Sequence, residues 1–185
     1  IQHFDGLVAL SIRCYLVPIF WMAGHHKLQH FSDTVAWFGN PDWGLGLPLP
    51  WLMASLATAS ELLGAVLLAL GLATRYISIP LSITMLVAIF TVHWQNGWQA
   101  IADPSAPFAN AQVFASADKL ERAQQLLMQY GDYDWLTSSG SLVILNNGIE
   151  FAVTYLIMLL ALIVMGGGRY VSVDDWIKRY SRHVT

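Results

Sequence analysis

Ionisable and amide side chains lie in or beside the apolar stretches of this chain, where such groups are rare. Glu61 is the clearest case, because it lies near the middle of the apolar run 51–73. A carboxylate at that depth is costly unless it is protonated, paired or hydrated. Small residues share its helical face, namely Ala54, Ala57, Thr58, Gly64 and Ala65. We therefore expect Glu61 to belong to a binding site or a tight helix contact.

The other candidates lie within or at the ends of apolar runs: Arg13, His25, His26, Lys27, His93, Asn147 and Glu150. Histidines and carboxylates on separate helices can hold a metal such as copper, or a haem, and they can equally hydrogen-bond a quinone carbonyl. The candidate metal ligands are His25, His26, His93 and Glu150. Adjacent residues point to different sides of a helix, so His25 and His26 are not expected to face one site together. We find no nucleophile with its base, phosphate loop or dinucleotide fingerprint.

The elements that position these groups follow from the composition. The chain has 185 residues, of which 56% are hydrophobic and only 11% charged. Soluble domains average about 25% charged residues, so this chain is predicted to be an integral membrane protein. The apolar blocks predict four spans, at about 6–28, 51–73, 76–94 and 142–165. We expect residues 1–185 to form a single transmembrane domain, an all-α antiparallel four-helix bundle.

The net charge of −3 does not favour nucleic acid, and the single cysteine excludes an intramolecular disulfide. The lipid bilayer is the first expected partner. Between spans three and four lies a polar region, 95–141, in which Ser116–Tyr130 is predicted to form an amphipathic surface helix. Other membrane subunits, or a periplasmic partner, are expected to dock on this loop.

Positive charge predicts the orientation. The turn between spans two and three and the C-terminal tail carry Arg75, Arg169, Lys178, Arg179 and Arg182. The opposite side carries Lys27, Lys119 and Arg122 together with several acidic residues. We therefore expect both termini in the cytoplasm and the loop 95–141 in the periplasm.

This orientation places the candidate groups near one another. Lys27 and the two histidines close the first span at its outer end, where His93 closes the third span and Glu150 opens the fourth. Glu61 lies about ten residues beyond Trp51, or about 15 Å along the helix. We predict an outer-leaflet cavity that these groups share. For each group the alternative is a structural role, as a helix contact, an interfacial side chain or, for Arg13, an ion pair that could involve Glu61.

The sequence resembles the DoxX family of small four-helix membrane proteins. The segments that carry the resemblance are Arg13 with the end of span one at 24–28, then 61–64, 71–75, 85–93, 148–150 and the closing 166–174. The long loop between spans three and four is similar to a branch associated with the maturation of copper-binding peptides. The resemblance implies a membrane-redox role in a bacterial inner membrane, as in subunits of quinone-linked oxidoreductases.

The leading hypothesis is thus a redox-associated membrane subunit that binds a quinone or a similar flat ligand. Glu61 would accept a proton or a hydrogen bond, and His93 with one of His25 and His26 would contact the ligand. Arg13 and Lys27 would be electrostatic or structural partners, and Asn147 with Glu150 would line the site. Two alternatives are a non-catalytic scaffold or assembly factor, and a copper-handling protein.

Overall fold

The computed structural model describes residues 5–184, which form helices and connecting segments without a named β-strand. In chain order the helices are α1 (Asp5–Gln29), α2 (Phe31–Gly39), α3 (Pro50–Leu70), α4 (Thr74–Val87), α5 (Ala111–Tyr130), α6 (Tyr133–Thr137), α7 (Glu150–Met165) and α8 (Val173–Val184). A π-helical turn, Ala88–His93, and a 3-10 turn, Trp94–Asn96, follow α4 directly. The chain divides into two compact units, Ile1–Val87 with Thr154–Thr185, and Ala88–Val153.

Three segments are long and apolar enough to cross a membrane: Gly6–Gln29, Pro50–Leu70 and Thr74–Asn96. The helix α7 is apolar but has only 16 residues. Large hydrophobic side chains such as Met22, Leu63 and Ile83 are exposed, as lipid-facing residues of a membrane helix are. The prediction of an all-helical, multi-pass membrane protein is confirmed.

The core of the first unit is built by four helices. Its buried side chains come from α1, α3, α4 and α7, and they are Ala9, Leu16, Phe20, Ala65, Leu68, Leu81, Leu159 and Leu162. Two glycines allow close packing of α3. A Cβ at Gly24 would lie 3.0 Å from the Cβ of Glu61, and one at Gly64 would lie 2.8 Å from Leu81. Small residues thus bring α1 and α4 close to α3.

Residues 142–149 of the second unit differ from the prediction of a span over 142–165. They are not helical, and α7 begins only at Glu150. Their backbone instead pairs with residues 97–102, for example through the N–H of Asn146 and the carbonyl of Ala100 at 2.9 Å. Asn147 has a φ of 58°, which breaks a helix.

The polar loop contains the predicted amphipathic helix. It is α5, and it begins at Ala111, five residues before the predicted start at Ser116. The side chain of Asn110 caps it by accepting a hydrogen bond from the N–H of Val113 at 2.9 Å. The segment after α1 forms the short helix α2.

Candidate functional site

A buried ion pair joins α1 and α3. The ammonium of Lys27 donates to both carboxylate oxygens of Glu61, at 2.8 and 2.7 Å. Glu61 is only 4% exposed, whereas the side chain of Lys27 is 24% exposed. Gly24 explains the geometry, because its missing side chain lets α3 approach α1 at Glu61. Lys27 lies about one turn further along α1, and its flexible stem reaches back to the carboxylate.

The exposed side of Lys27 opens into a cavity of about 570 Å³ between the end of α1 and α2. The cavity is lined by Ala23, His26, Lys27, His30, Asp33, Thr34, Trp37 and Phe38. The rings of His26 and His30 lie 4.9 Å apart between centroids. An ammonium and two imidazoles can donate hydrogen bonds to a carbonyl oxygen, and the aromatic rings offer flat apolar faces. This arrangement suits a planar polar ring.

Sequence reasoning missed the two other titratable residues of this cavity, His30 and Asp33. A signal for His30 was present, because it stands four positions after His26 and residues at that spacing share a helix face. Asp33 could not be placed without knowing that residues 31–39 form a helix.

The side chain of His25 does not line this cavity. Its ring stacks on Trp21, with an interplanar angle of 5° and centroids 6.2 Å apart, and the side chain is exposed. The cavity contains His26 but not His25. This agrees with the expectation that adjacent histidines do not face one site.

Arg13 does not pair with Glu61. Its guanidinium is buried and donates to four backbone carbonyls, those of Leu68, Ala69, Gly167 and Val171, at 2.6 to 3.1 Å. Two of these carbonyls belong to the last turn of α3, where helical carbonyls lack partners within the helix. The structural role that the sequence left open is therefore the one that Arg13 has here.

The remaining candidates, His93, Asn147 and Glu150, lie in the second unit. Nδ1 of His93 lies 2.9 Å from the carbonyl oxygen of Asn147, and the N–H of Ala100 donates to the carboxylate of Glu150 at 2.9 Å. These contacts hold the segment before α7 in place. That His93 and Glu150 share one site with Glu61 stays a prediction.

Among residues 6–181, whose side chains the structure describes, no three histidine, cysteine, aspartate or glutamate side chains lie close enough together to hold a metal ion. The candidate ligands His25, His26, His93 and Glu150 therefore do not form such a group among the described residues.

Comparison with known proteins supports the family prediction. The DoxX family model matches residues 8–94, which hold most of α1 and all of α2 to α4, and confirms the resemblance over that part of the chain. The chain is also similar to a protein of Bacillus subtilis (strain 168) named "Putative oxidoreductase CatD", with 38% identity over 83 residues. The aligned part makes up 45% of this chain and spans 58% of that relative's length. No solved structure matches the chain.

Proposed function

Because residues 8–94 carry the DoxX pattern, we propose that this protein is a redox-associated membrane subunit that binds a quinone in the cavity beside Lys27. The observation that carries the proposal is the buried Lys27–Glu61 pair, whose lysine lines that cavity. An ion pair inside a membrane bundle is costly and typically marks a functional site. The name of the Bacillus subtilis relative supports the redox part of the proposal.

Each of these residues has its own role in binding the quinone. Lys27 and His26 donate hydrogen bonds to a quinone carbonyl, while Trp37 stacks on the ring. Glu61 holds the ammonium of Lys27 in place. Its carboxylate accepts a proton when a bound quinol is oxidised and gives the proton back when a quinone is reduced. His30, which the sequence reading left out, is a second imidazole donor in the same cavity.

The test is the content of the purified protein. We expect solvent extracts of the wild-type protein in detergent to contain quinone by mass spectrometry. Glu61→Gln and Lys27→Gln should lose most of it while remaining folded. Lys119→Gln removes an exposed charge from α5 and is the matched control, which should keep its quinone. Equal quinone in the wild type and in both cavity variants, or none in any preparation, would overturn the proposal.

The same preparations test the other ligands. Optical spectra report haem, and metal analysis after copper loading reports copper. If copper binds stoichiometrically and is lost in His93→Ala, the copper-handling function replaces the quinone proposal.

We further propose that both termini face the cytoplasm of a bacterial inner membrane and that the cavity beside Lys27 opens on the periplasmic side. The support is the excess of arginine and lysine in the turn between α3 and α4 and after α7.

A second candidate function, a scaffold for other membrane subunits, is favoured by exposed hydrophobic residues of the 95–141 segment. They include Phe108, Phe114, Leu126, Met128, Tyr130 and Trp135. Exposed apolar patches on a polar segment favour protein contacts. Purification under mild detergent tests this function, because a scaffold brings a stoichiometric partner that Phe114→Ser with Met128→Ser should release.

A further inference from the structure

A second cavity, of about 780 Å³, lies in the first unit at the end of the bundle opposite Lys27. The turn between α3 and α4 forms one wall, and the segment between α7 and α8 with the start of α8 forms the other. Three cationic side chains line it, those of Arg75, Arg169 and Lys178. All three are exposed, and none of them takes part in the quinone site proposed above.

Within residues 6–181, whose side chains the structure describes, none of these three cations lies within ion-pair distance of an acidic group. The two aspartates of the cavity are bound elsewhere. Asp174 accepts from the N–H groups of Ala73 and Thr74, at 2.7 and 3.0 Å. The lining holds three cations against two carboxylates, and its net positive charge attracts an anion.

Asp175 is the other aspartate. It accepts hydrogen bonds from the N–H of Tyr170 at 2.9 Å and from Arg179 at 2.7 Å. Arg169 interacts with the carboxylate of Asp175 only electrostatically, without a hydrogen bond. The excess positive charge of the cavity therefore remains available to a ligand.

Glycines shape the wall beside Arg75. Gly166 and Gly168 have φ values of 79° and 93°, which side-chain-bearing residues rarely adopt. A Cβ at Gly166 would lie 3.1 Å from Nε of Arg75. The glycines thus leave the guanidinium free to contact a ligand from the cavity.

The position of the cavity indicates what the ligand is. Arg75 lies in the first turn of α4, at the end of a helix long enough to cross the membrane, which is the level of the lipid headgroups. Tyr76 and Trp176 nearby are 77% and 67% exposed, as aromatic residues of a membrane interface are. We propose that Arg75, Arg169 and Lys178 bind a phosphate group, and that an anionic phospholipid headgroup supplies it.

Native mass spectrometry of the full chain in neutral detergent tests this proposal with two lipids, phosphatidylglycerol and phosphatidylcholine. The wild type should retain phosphatidylglycerol and little phosphatidylcholine. Arg75→Gln with Arg169→Gln should weaken phosphatidylglycerol binding roughly thirtyfold, and Lys178→Gln alone roughly fivefold. The matched control, Lys119→Gln with Arg122→Gln on α5, removes the same charge and should leave binding unchanged.

Inorganic phosphate is added as a competitor to separate the two sources of the phosphate group. We expect phosphatidylglycerol to remain bound. Binding of inorganic phosphate without phosphatidylglycerol would overturn the lipid source. Equal retention of the two lipids, or equal losses in the cavity and control variants, would overturn the site itself. Circular dichroism melting verifies that each variant is folded, and quinone content, which these variants should not change, keeps this result separate from the proposed function.

Discussion

At the scale of single residues, the pair of Lys27 and Glu61 stands out because neither group alone is stable inside an apolar bundle. The carboxylate has lost nearly all contact with solvent, and the ammonium compensates its charge with two hydrogen bonds. Charge neutralisation of this kind makes each partner dependent on the other. The pair therefore combines a structural and a functional role.

We expect Lys27→Met to lower the free energy of unfolding by about 3 kcal/mol, because it leaves the carboxylate of Glu61 buried without a cation. The double variant Lys27→Met with Glu61→Met should recover most of that loss. Reversible unfolding in detergent measures both. Lys119→Met serves as the control, and a loss in Lys27→Met no greater than in this control would contradict the expectation.

A second residue-scale prediction concerns acid. The N–H of Tyr170, with a smaller contribution from Arg179, holds the pKa of Asp175 below its ordinary value. A lowered carboxyl pKa stabilises the folded state above the unfolded pKa, and this stabilisation is lost as the pH falls through the folded pKa. The wild type should therefore lose stability as the pH drops below about 4.

Asp175→Asn removes this contribution at every pH. The difference in melting temperature between the wild type and Asp175→Asn should be largest at neutral pH and should shrink in acid. Asp118→Asn on α5 is the control for a general charge effect. A difference that stays constant across the acid range would show that the ionised Asp175 does not stabilise the fold.

The sequence identified Lys27 and Glu61 as candidates but did not pair them. The cation considered for Glu61 was Arg13. Lys27 reaches Glu61 instead because a lysine side chain is long and because Gly24 brings the helices together at Glu61. Side-chain reach and local helix separation are not visible in spacing alone.

At the scale of elements, the segment before α7 shows tertiary contacts overriding an apolar pattern. Residues 142–149 read as a helix because they continue the hydrophobic run of α7. They instead pair with residues 97–102, and Gly148 and Glu150 donate backbone hydrogen bonds to the carbonyls of Gln99 and Trp98. These partners lie about 50 residues away in the chain, so no local pattern reveals them.

Gly148→Ala should break this pairing. Its Cβ would lie 2.5 to 2.6 Å from the carbonyl oxygens of Gln99, Gly97 and Trp98, which cannot move without losing their own bonds. We expect a cost of about 2 kcal/mol and faster hydrogen exchange at Asn146 and Glu150. Gly131→Ala is the control, because its added Cβ would contact only Leu127 of α5. The amides of Asn146 and Glu150 should exchange in this variant at the wild-type rate.

At the scale of the whole molecule, composition and hydrophobic run length predicted the all-helical membrane architecture correctly. The family resemblance did so too, over residues 8–94. The extra helices α2, α6 and α8 were not predicted, because short helices with polar faces depend on what they pack against. The cavity beside Lys27 depends on α2, so its lining could be predicted only in part.

The proposed orientation has a direct test, because Cys14 is the single cysteine of the chain. In a Cys14→Ser background, Ser105→Cys should react with a membrane-impermeant maleimide in spheroplasts whose cytoplasmic membrane is intact. Ser181→Cys should react only after the membrane is permeabilised. The opposite result would place the termini in the periplasm and move the proposed quinone cavity to the cytoplasmic side.

The hydrogen bonds of the Arg13 guanidinium cannot all form until late in the synthesis of the chain. During translation, α1 enters the membrane with Arg13 long before its acceptor Gly167, 154 residues downstream, has been made. Until then at least one strong donor of the first helix must be satisfied by water, lipid phosphate or the insertion machinery. A nascent chain that stops before residue 167 thus keeps an incompletely bonded arginine in its first helix.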